Sequence, residues 1–346
     1  MGNYNTLACL GWQPFFQQQL SLEEWNDLSP ARVVEQHRTS IAVVTQSGSL
    51  DIALQHSMPE MVVGDWVLLD SSNHFIRLLD RKTCFKRKAA GSKVNWQLIS
   101  ANVDTAFIVV SMNDDFNLSR IERYLSLVHD SGAEPVVVLS KFDLSGSPEQ
   151  FISQVQGLDG LLFVEAVNCL DLNSVEKLNH WIKEGSTSAV LGSSGVGKST
   201  LINTLLSEPK QGTASIREDD AKGRHTTTRR SLIALKSGGL ILDTPGMREI
   251  QLADCKSGIS TTFPEIEALA KNCRFSDCRH GSEPGCAVLS ALNSGQIEQR
   301  RLDNYTKLLK EEAINSASLS QKRASDKALG KFYKRTLSES HRFKGR

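Results

Sequence analysis

The segment SAVLGSSGVGKSTLINTLL, residues 188–206, constrains the chain more than any other. A short apolar run ends at Gly192, the loop GSSGVGKS (192–199) follows, and a helical pattern begins at Lys198. Gly192, Gly197, Lys198 and Ser199 stand at the spacing of a phosphate-binding loop. The glycines let the backbone N–H groups of Ser193, Ser194, Gly195, Val196 and Thr200 curl around phosphate oxygens, and the helix N-terminus adds its positive end. Lys198 is placed to reach the β and γ phosphates, and the Ser199 hydroxyl to ligate Mg²⁺. A glycine-rich turn without a ligand is the plainer reading, but the strand–loop–helix context weighs against it.

The loop sits inside a longer alternation. VDTAFIVVS (103–111), PVVVLS (135–140), LLFVEAV (161–167) and SAVLG (188–192) read as strands covered on both faces. LSRIERYLSLVHDSG (118–132), PEQFISQV (148–155), NSVEKLNHWI (173–182) and KSTLINTLL (198–206) read as the intervening helices. LIALKS (232–237) and GLILDT (239–244) close the series. The pattern predicts a doubly wound parallel sheet.

Three further motifs extend the site. DTPG (243–246) ends an apolar strand. Asp243 is placed to hold Mg²⁺ through water, and the Gly246 N–H to meet the γ phosphate. Alone this is ordinary turn chemistry, but Asp243 follows Lys198 by 45 residues, at a strand end. Between them, GRHTTT (223–228) offers a switch-loop hydroxyl for Mg²⁺. Spacing does not choose among Thr226, Thr227 and Thr228; Thr227 is carried forward as the ligand. SKFD (140–143) ends another strand. The Asp143 carboxylate can accept from the N1–H and exocyclic amine of guanine, whereas adenine would leave it unpaired at a cost. Lys141 would lie along the base, with Ser140 and Phe142 flanking it. The usual motif has Asn where Ser140 stands, and a hydroxyl is shorter with fewer hydrogen bonds to give. The order is unusual: Asp143 precedes Gly192 by 49 residues, whereas ordinary GTPases read the base after the phosphate loop. A circularly permuted chain builds the same sheet.

Upstream, PARVVEQHRTSIAVVTQSG, MVVGDWVLLD and FIRLLDRK predict four or five short strands and a small barrel, OB-like or SH3-like. Trp66 reads as a core aromatic rather than a base-stacking platform. Downstream, Cys273, Cys278, His280 and Cys286 fall within fourteen residues, separated by four, one and five others. Three thiolates and an imidazole suit a closed structural zinc site. Cys9, Cys84 and Cys169 read as small core residues. An odd cysteine count, no apolar run of membrane-spanning length and no leader pattern point to a reducing, cytoplasmic setting without a membrane. Residues 320–346 carry nine Lys or Arg against two acids, a +7 tail on a chain of net charge +1. Beside a barrel and a zinc knob, such a tail suits RNA, although a solvated tail is the alternative.

Taken together, the residues resemble the ribosome small-subunit-dependent GTPase A family (RsgA, also called YjeQ) from about 30 to 315. The likeness rests on PARVV…HRTS with VGDWV, ANVDTAFIVVS, SGAEPVVVLSKFDL, GSSGVGKST, GRHTTT, DTPGMRE and FPEI…CRFSDCRHGSEPGCAV. It implies a multidomain α/β protein: an OB-like barrel (1–92), a permuted GTPase domain (93–252) and a mostly helical zinc-binding domain with the basic tail (253–346). It further implies hydrolysis of GTP to GDP stimulated by the 30S subunit, contact with 16S rRNA, and a role in late subunit maturation. A monomer is the expected state.

Many GTPases place a water-orienting Gln after DxxG; here Met247 stands there, so intrinsic turnover should be slow. His225 is the candidate catalytic group, and the resemblance points to the same histidine. The rival function is a nucleotide-gated RNA-binding module in which hydrolysis is incidental. A P-loop kinase would need an acceptor-site base that the sequence does not offer.

Overall fold

The computed structural model describes residues 6–88, 96–206, 230–243, 252 and 254–316. Two short helices, α1 (Pro14–Gln17) and α2 (Leu22–Asp27), precede strands β1 (Ser29–Gln36), β2 (Ser40–Thr45), β3 (Gly48–Ala53), β4 (Trp66–Leu69) and β5 (Phe75–Leu78). The strands pair in the order β3-β2-β1-β4-β5, all antiparallel. Among the described residues β3 and β5 share no ladder. Alternation divides the side chains between two layers. Ala31, Val33, Ile41, Val43, Val67 and Leu69 fill one core, while Val44, Trp66 and Leu68 face a second, covered by Leu10 and Phe16. Trp66 is fully buried, with Trp12 edge-on at 4.8 Å.

A hairpin follows, β6 (Cys84–Lys88) and β7 (Trp96–Ala101), and leads into the main sheet. That sheet is built from β8 (Thr105–Ser111), α3 (Leu118–Ser131), β9 (Glu134–Ser140), α4 (Pro148–Gln156), β10 (Phe163–Ala166), α5 (Leu172–Val175), β11 (Thr187–Leu191), α6 (Lys198–Leu206), β12 (Arg230–Ala234) and β13 (Leu240–Asp243). The spatial order is β10-β9-β8-β11-β13-β12, parallel except for β12. β8 and β11 and most of β9 and β13 are buried on both faces, while the edge strand β10 exposes Phe163. Ile108, Val137, Leu139, Leu191 and Leu242 point to one core, and Phe107, Val109, Val138, Val190 and Ile241 to the other. This two-sided burial is why the sequence runs are continuously apolar. The segment 173–182 is not one helix: after α5 the chain tightens into a 3₁₀ turn at Glu176–His180.

The C-terminal part is helical: α7 (Lys256–Thr262), α8 (Pro264–Ala270), α9 (Ala287–Asn293) and α10 (Gln299–Ser316). These helices share a core with the main sheet, because Ile259, Phe263, Leu302 and Tyr305 pack with Ile121, Tyr124 and Val128 of α3. Gly258 permits the approach of α7 to α3: a Cβ there would stand 2.0 Å from the Ser126 carbonyl oxygen. Polar bonds reinforce the seam. The fully buried Glu122 carboxylate accepts from Arg300 Nη1 (3.0 Å), Arg301 Nη1 (2.9 Å) and Asn304 Nδ2. Nearby, Arg123 pairs with Glu311 at 2.7 Å.

The N-terminal sheet is fastened to the main sheet in two ways. β1 also pairs with β12, through Glu35 with Ser231 and Gln36 with Arg230. Arg32, 1% exposed, donates from Nη2 to Asn102 O (3.1 Å) and Thr187 Oγ1 (2.8 Å) and from Nη1 to Leu10 O, so one guanidinium ties β1, the β7–β8 turn and the start of β11. Replacing Arg32 with Ala leaves these acceptors buried without their donor. We expect a loss of about 3 kcal/mol, read as a lower urea midpoint.

Candidate nucleotide site and cysteine–histidine cluster

In a doubly wound sheet, ligands bind at the carboxyl ends of the strands where the winding reverses. Here the chain winds outward from β8 to β9 and β10, then returns to lay β11 on the other side of β8. The carboxyl ends of β8, β9 and β11 therefore flank the reversal, and they carry Ser111, the 140–143 motif and the 192–199 loop.

Gly192 opens that loop with φ +142°, and a Cβ on it would lie 2.3 Å from the Val109 carbonyl oxygen, so only glycine fits. Lys198 begins α6 and folds back so that Nζ donates to the Ser193 carbonyl. Ser194 and Gly195 are exposed at the tip, while Val196 is buried beneath it. Ser199 and Thr200 follow in the first turn of α6.

The 140–143 motif meets the loop directly. Ser140 Oγ donates to the Val196 carbonyl at 2.6 Å and lies 3.3 Å from that of Val110. Lys141 adopts a left-handed backbone (φ 61°) that turns the chain out of β9, and Asp143 is exposed in the turn beyond it. The short Ser140 hydroxyl thus spans from the 140–143 motif to the 192–199 loop without the length of an Asn.

The loop after β10 is the guanine-loop region that the resemblance marks at Asn168 and Cys169, where a Ser-Ala pair would be commoner. Cys169 lies beside Gly197: a Cβ on that glycine would stand 3.6 Å from its sulfur. Its carbonyl accepts from Thr204 Oγ1 of α6 at 2.6 Å. Burial pushes the Cys169 thiol up to about 12, reinforced by the Asp143 charge, so it stays neutral. A small, neutral, apolar group here is legible only as a buried cysteine; nothing in the local sequence gives its neighbours.

Asp243 ends β13, next to β11 in the sheet. His225, Thr227 and Gly246, with the rest of GRHTTT and DTPG beyond Asp243, lie outside the described residues, as does the basic tail.

The second site is compact. Donor atoms of Cys273, Cys278, His280 and Cys286 all lie within 4.8 Å of one another. The Cys273 and Cys286 sulfurs are 3.8 Å apart, and His280 Nδ1 lies 3.7 Å from the first and 3.4 Å from the second. A tetrahedral zinc with ordinary bond lengths has S···S edges of about 3.8 Å and N···S edges of about 3.6 Å. The cluster is compatible with such an ion. Burial raises the Cys273 thiol, but the backbone N–H groups of Val288 and Ala287, together with hydrogen bonds from Cys286 and Cys278, outweigh it and the net shift is downward. The connecting loop is held by Glu283, whose carboxylate accepts from the N–H groups of Arg279 (3.0 Å), Gly281 (2.8 Å) and Ser282 (3.0 Å) and is lowered to about 2 by them.

The model of the RsgA GTPase family matches residues 78–253. A Vibrio parahaemolyticus protein named small ribosomal subunit biogenesis GTPase RsgA 2 is 55% identical over 338 residues, covering 98% of this chain and 94% of that one. The chain belongs to the RsgA GTPase family. It resembles the crystal structure of YjeQ from Thermotoga maritima with a TM-score of 0.60 and 26% identity, covering 82% of this chain and 98% of that one. The structure described as YloQ, a circularly permuted GTPase, shares the fold at a TM-score of 0.58 and 21% identity, covering 84% and 96%. The reversed motif order therefore belongs to a known permuted α/β architecture, and this family member is a GTP hydrolase that uses Mg²⁺ with its nucleotide.

Ser140 is the joint between the two motifs. Ser140→Ala removes the only side-chain donor given to the Val196 carbonyl among the described residues. The expected cost is about 1–2 kcal/mol, measured as a fall in the urea unfolding midpoint.

Proposed function

We propose that this GTPase binds GTP in the pocket between the 140–143 motif and the 192–199 loop and acts in maturation of the small ribosomal subunit. The observation that supports it most is the Ser140–Val196 hydrogen bond, which joins motifs that stand in reversed order in the sequence. Curated relatives carry the name small ribosomal subunit biogenesis GTPase, which supports the subunit as partner.

In this reading Asp143 accepts from guanine, Lys141 lies along the base, and Ser140 and Phe142 hold the turn. Backbone N–H groups from Ser193 to Thr200 grip the phosphates, and Lys198 gives up its Ser193 carbonyl for a phosphate oxygen. Ser199, with Thr227 and Asp243, holds the Mg²⁺ shell, and Gly246 meets the γ phosphate. The ion supplies charge neutralisation at the phosphates. His225 orients the attacking water, a role Met247 cannot take. Contact with 16S rRNA by the flanking regions brings His225 into place.

The flanking regions are read as follows. Residues 1–92 form an OB-like unit, a reading supported by the β3-β2-β1-β4-β5 order, which suits a five-stranded Greek-key barrel open between β3 and β5. Residues 93–252 form the GTPase domain, and 253–346 the zinc-binding domain and tail. The basic tail adds salt-sensitive affinity for rRNA. The protein works as a monomer in the cytoplasm.

Turnover of GTP with and without 30S subunits tests the function. We expect slow hydrolysis alone, strong stimulation by the subunit, and no comparable ATP turnover. His225→Ala should lose the stimulation while still binding the subunit; an unchanged stimulated rate would remove His225 from the mechanism. Metal analysis tests the cluster: one zinc per chain is expected, with loss of the ion in Cys278→Ser and no gain on adding excess zinc to wild type.

A further inference from the structure

The first turn of α3 places a cation against the phosphate loop. Asn117 caps the helix by accepting from the Arg120 N–H (3.0 Å). This fixes the backbone of Arg120, whose Nη1 donates to Ser193 Oγ at 3.1 Å across 73 residues of sequence. Its other contact is a long one, 3.5 Å to the Asp115 carbonyl. No carboxylate pairs with Arg120 among the described residues. By contrast, Arg123 on the same helix is paired with Glu311. A half-buried guanidinium beside a phosphate loop, with donors to spare and no counter-ion, is poised for an anion.

The geometry also says which end of the loop it serves. Ser193 is held from two sides, its hydroxyl by Arg120 and its carbonyl by Lys198 Nζ. The lysine of such a loop reaches the β and γ phosphates, so Ser193 lies at the terminal-phosphate end. We propose that Arg120 is a specificity-determining positioning residue: through Ser193 it fixes that end of the loop and adds positive charge there, so that GTP is held in preference to GDP. The inference rests on the nucleotide reading of the 192–199 loop. It assigns no step of the chemistry to Arg120. One more charged phosphate group is what separates the two nucleotides, so an added cation near that end discriminates between them.

Fluorescent GTP-analogue and GDP titrations of the full chain test the proposal, at low and at high salt. Arg120→Gln should weaken binding of a non-hydrolysable GTP analogue by about tenfold and shift GDP by less than about twofold. Arg120→Lys, which keeps the charge, should recover most of the preference. Ser193→Ala should lose part of it, and rising salt should shrink the wild-type preference but not that of Arg120→Gln. In steady state the Gln variant should raise KM for GTP with kcat little changed. Parallel losses for both nucleotides, no loss for either, or failure of Lys to rescue would overturn the proposal. Lys198→Ala separates the two levels. If it abolishes binding of both nucleotides while Arg120→Gln changes nothing, Arg120 alone is eliminated. If Lys198→Ala leaves both bound as in wild type, the loop reading itself falls and this proposal with it.

Discussion

Two loops far apart in the sequence must meet at the carboxyl ends of β9 and β11, and β8 between them sets their separation. The rest of the molecule serves that constraint. Continuous two-sided burial of β8, β9 and β11 makes the strands rigid. The Ser140 hydroxyl then closes the gap above β8 with one hydrogen bond to the Val196 carbonyl. Because strand neighbours depend on pairing and not on chain order, cutting the chain elsewhere leaves this meeting point intact. That is how a permuted sequence still brings the 140–143 motif and the 192–199 loop together.

The same sheet needs cover on its outer helix layer, and α3 supplies it. One side of α3 buries Ile121, Tyr124 and Val128 with the C-terminal helices, and Glu122 is enclosed by Arg300, Arg301 and Asn304. A buried carboxylate is costly unless its oxygens are satisfied. Here two guanidinium groups and an amide satisfy it, so the C-terminal helices dock in one register. The helix that touches the 192–199 loop is therefore also the helix on which α7 and α10 dock.

Much of this was legible in the sequence, for definite reasons. The strand centres at 106–110, 136–139 and 189–191 are continuously apolar because both their faces are covered, and Gly132, in the left-handed conformation at φ 83°, ends α3 as its position promised. Motif spacing picked out the 192–199 segment as a loop between strand and helix and gathered the cysteine–histidine cluster, since both are local in sequence. The segment 173–182 misled because Val175, Leu178 and Ile182 recur at a spacing that suits a 3₁₀ turn as well as an α-helix over so few residues. The bonds of Arg32, Glu122 and Cys169 were invisible because their partners lie on distant segments. Ser140 looked like a weakness in the sequence; in three dimensions its shortness matches the distance to be bridged.

The join between β1 and β12 has a geometric consequence. β12 starts immediately after residue 229, and its first two residues are laced to Gln36 and Glu35. Strand registers move in whole residues, and a slip of one would exchange the faces of every side chain. The join therefore specifies a single register between β12 and the N-terminal sheet.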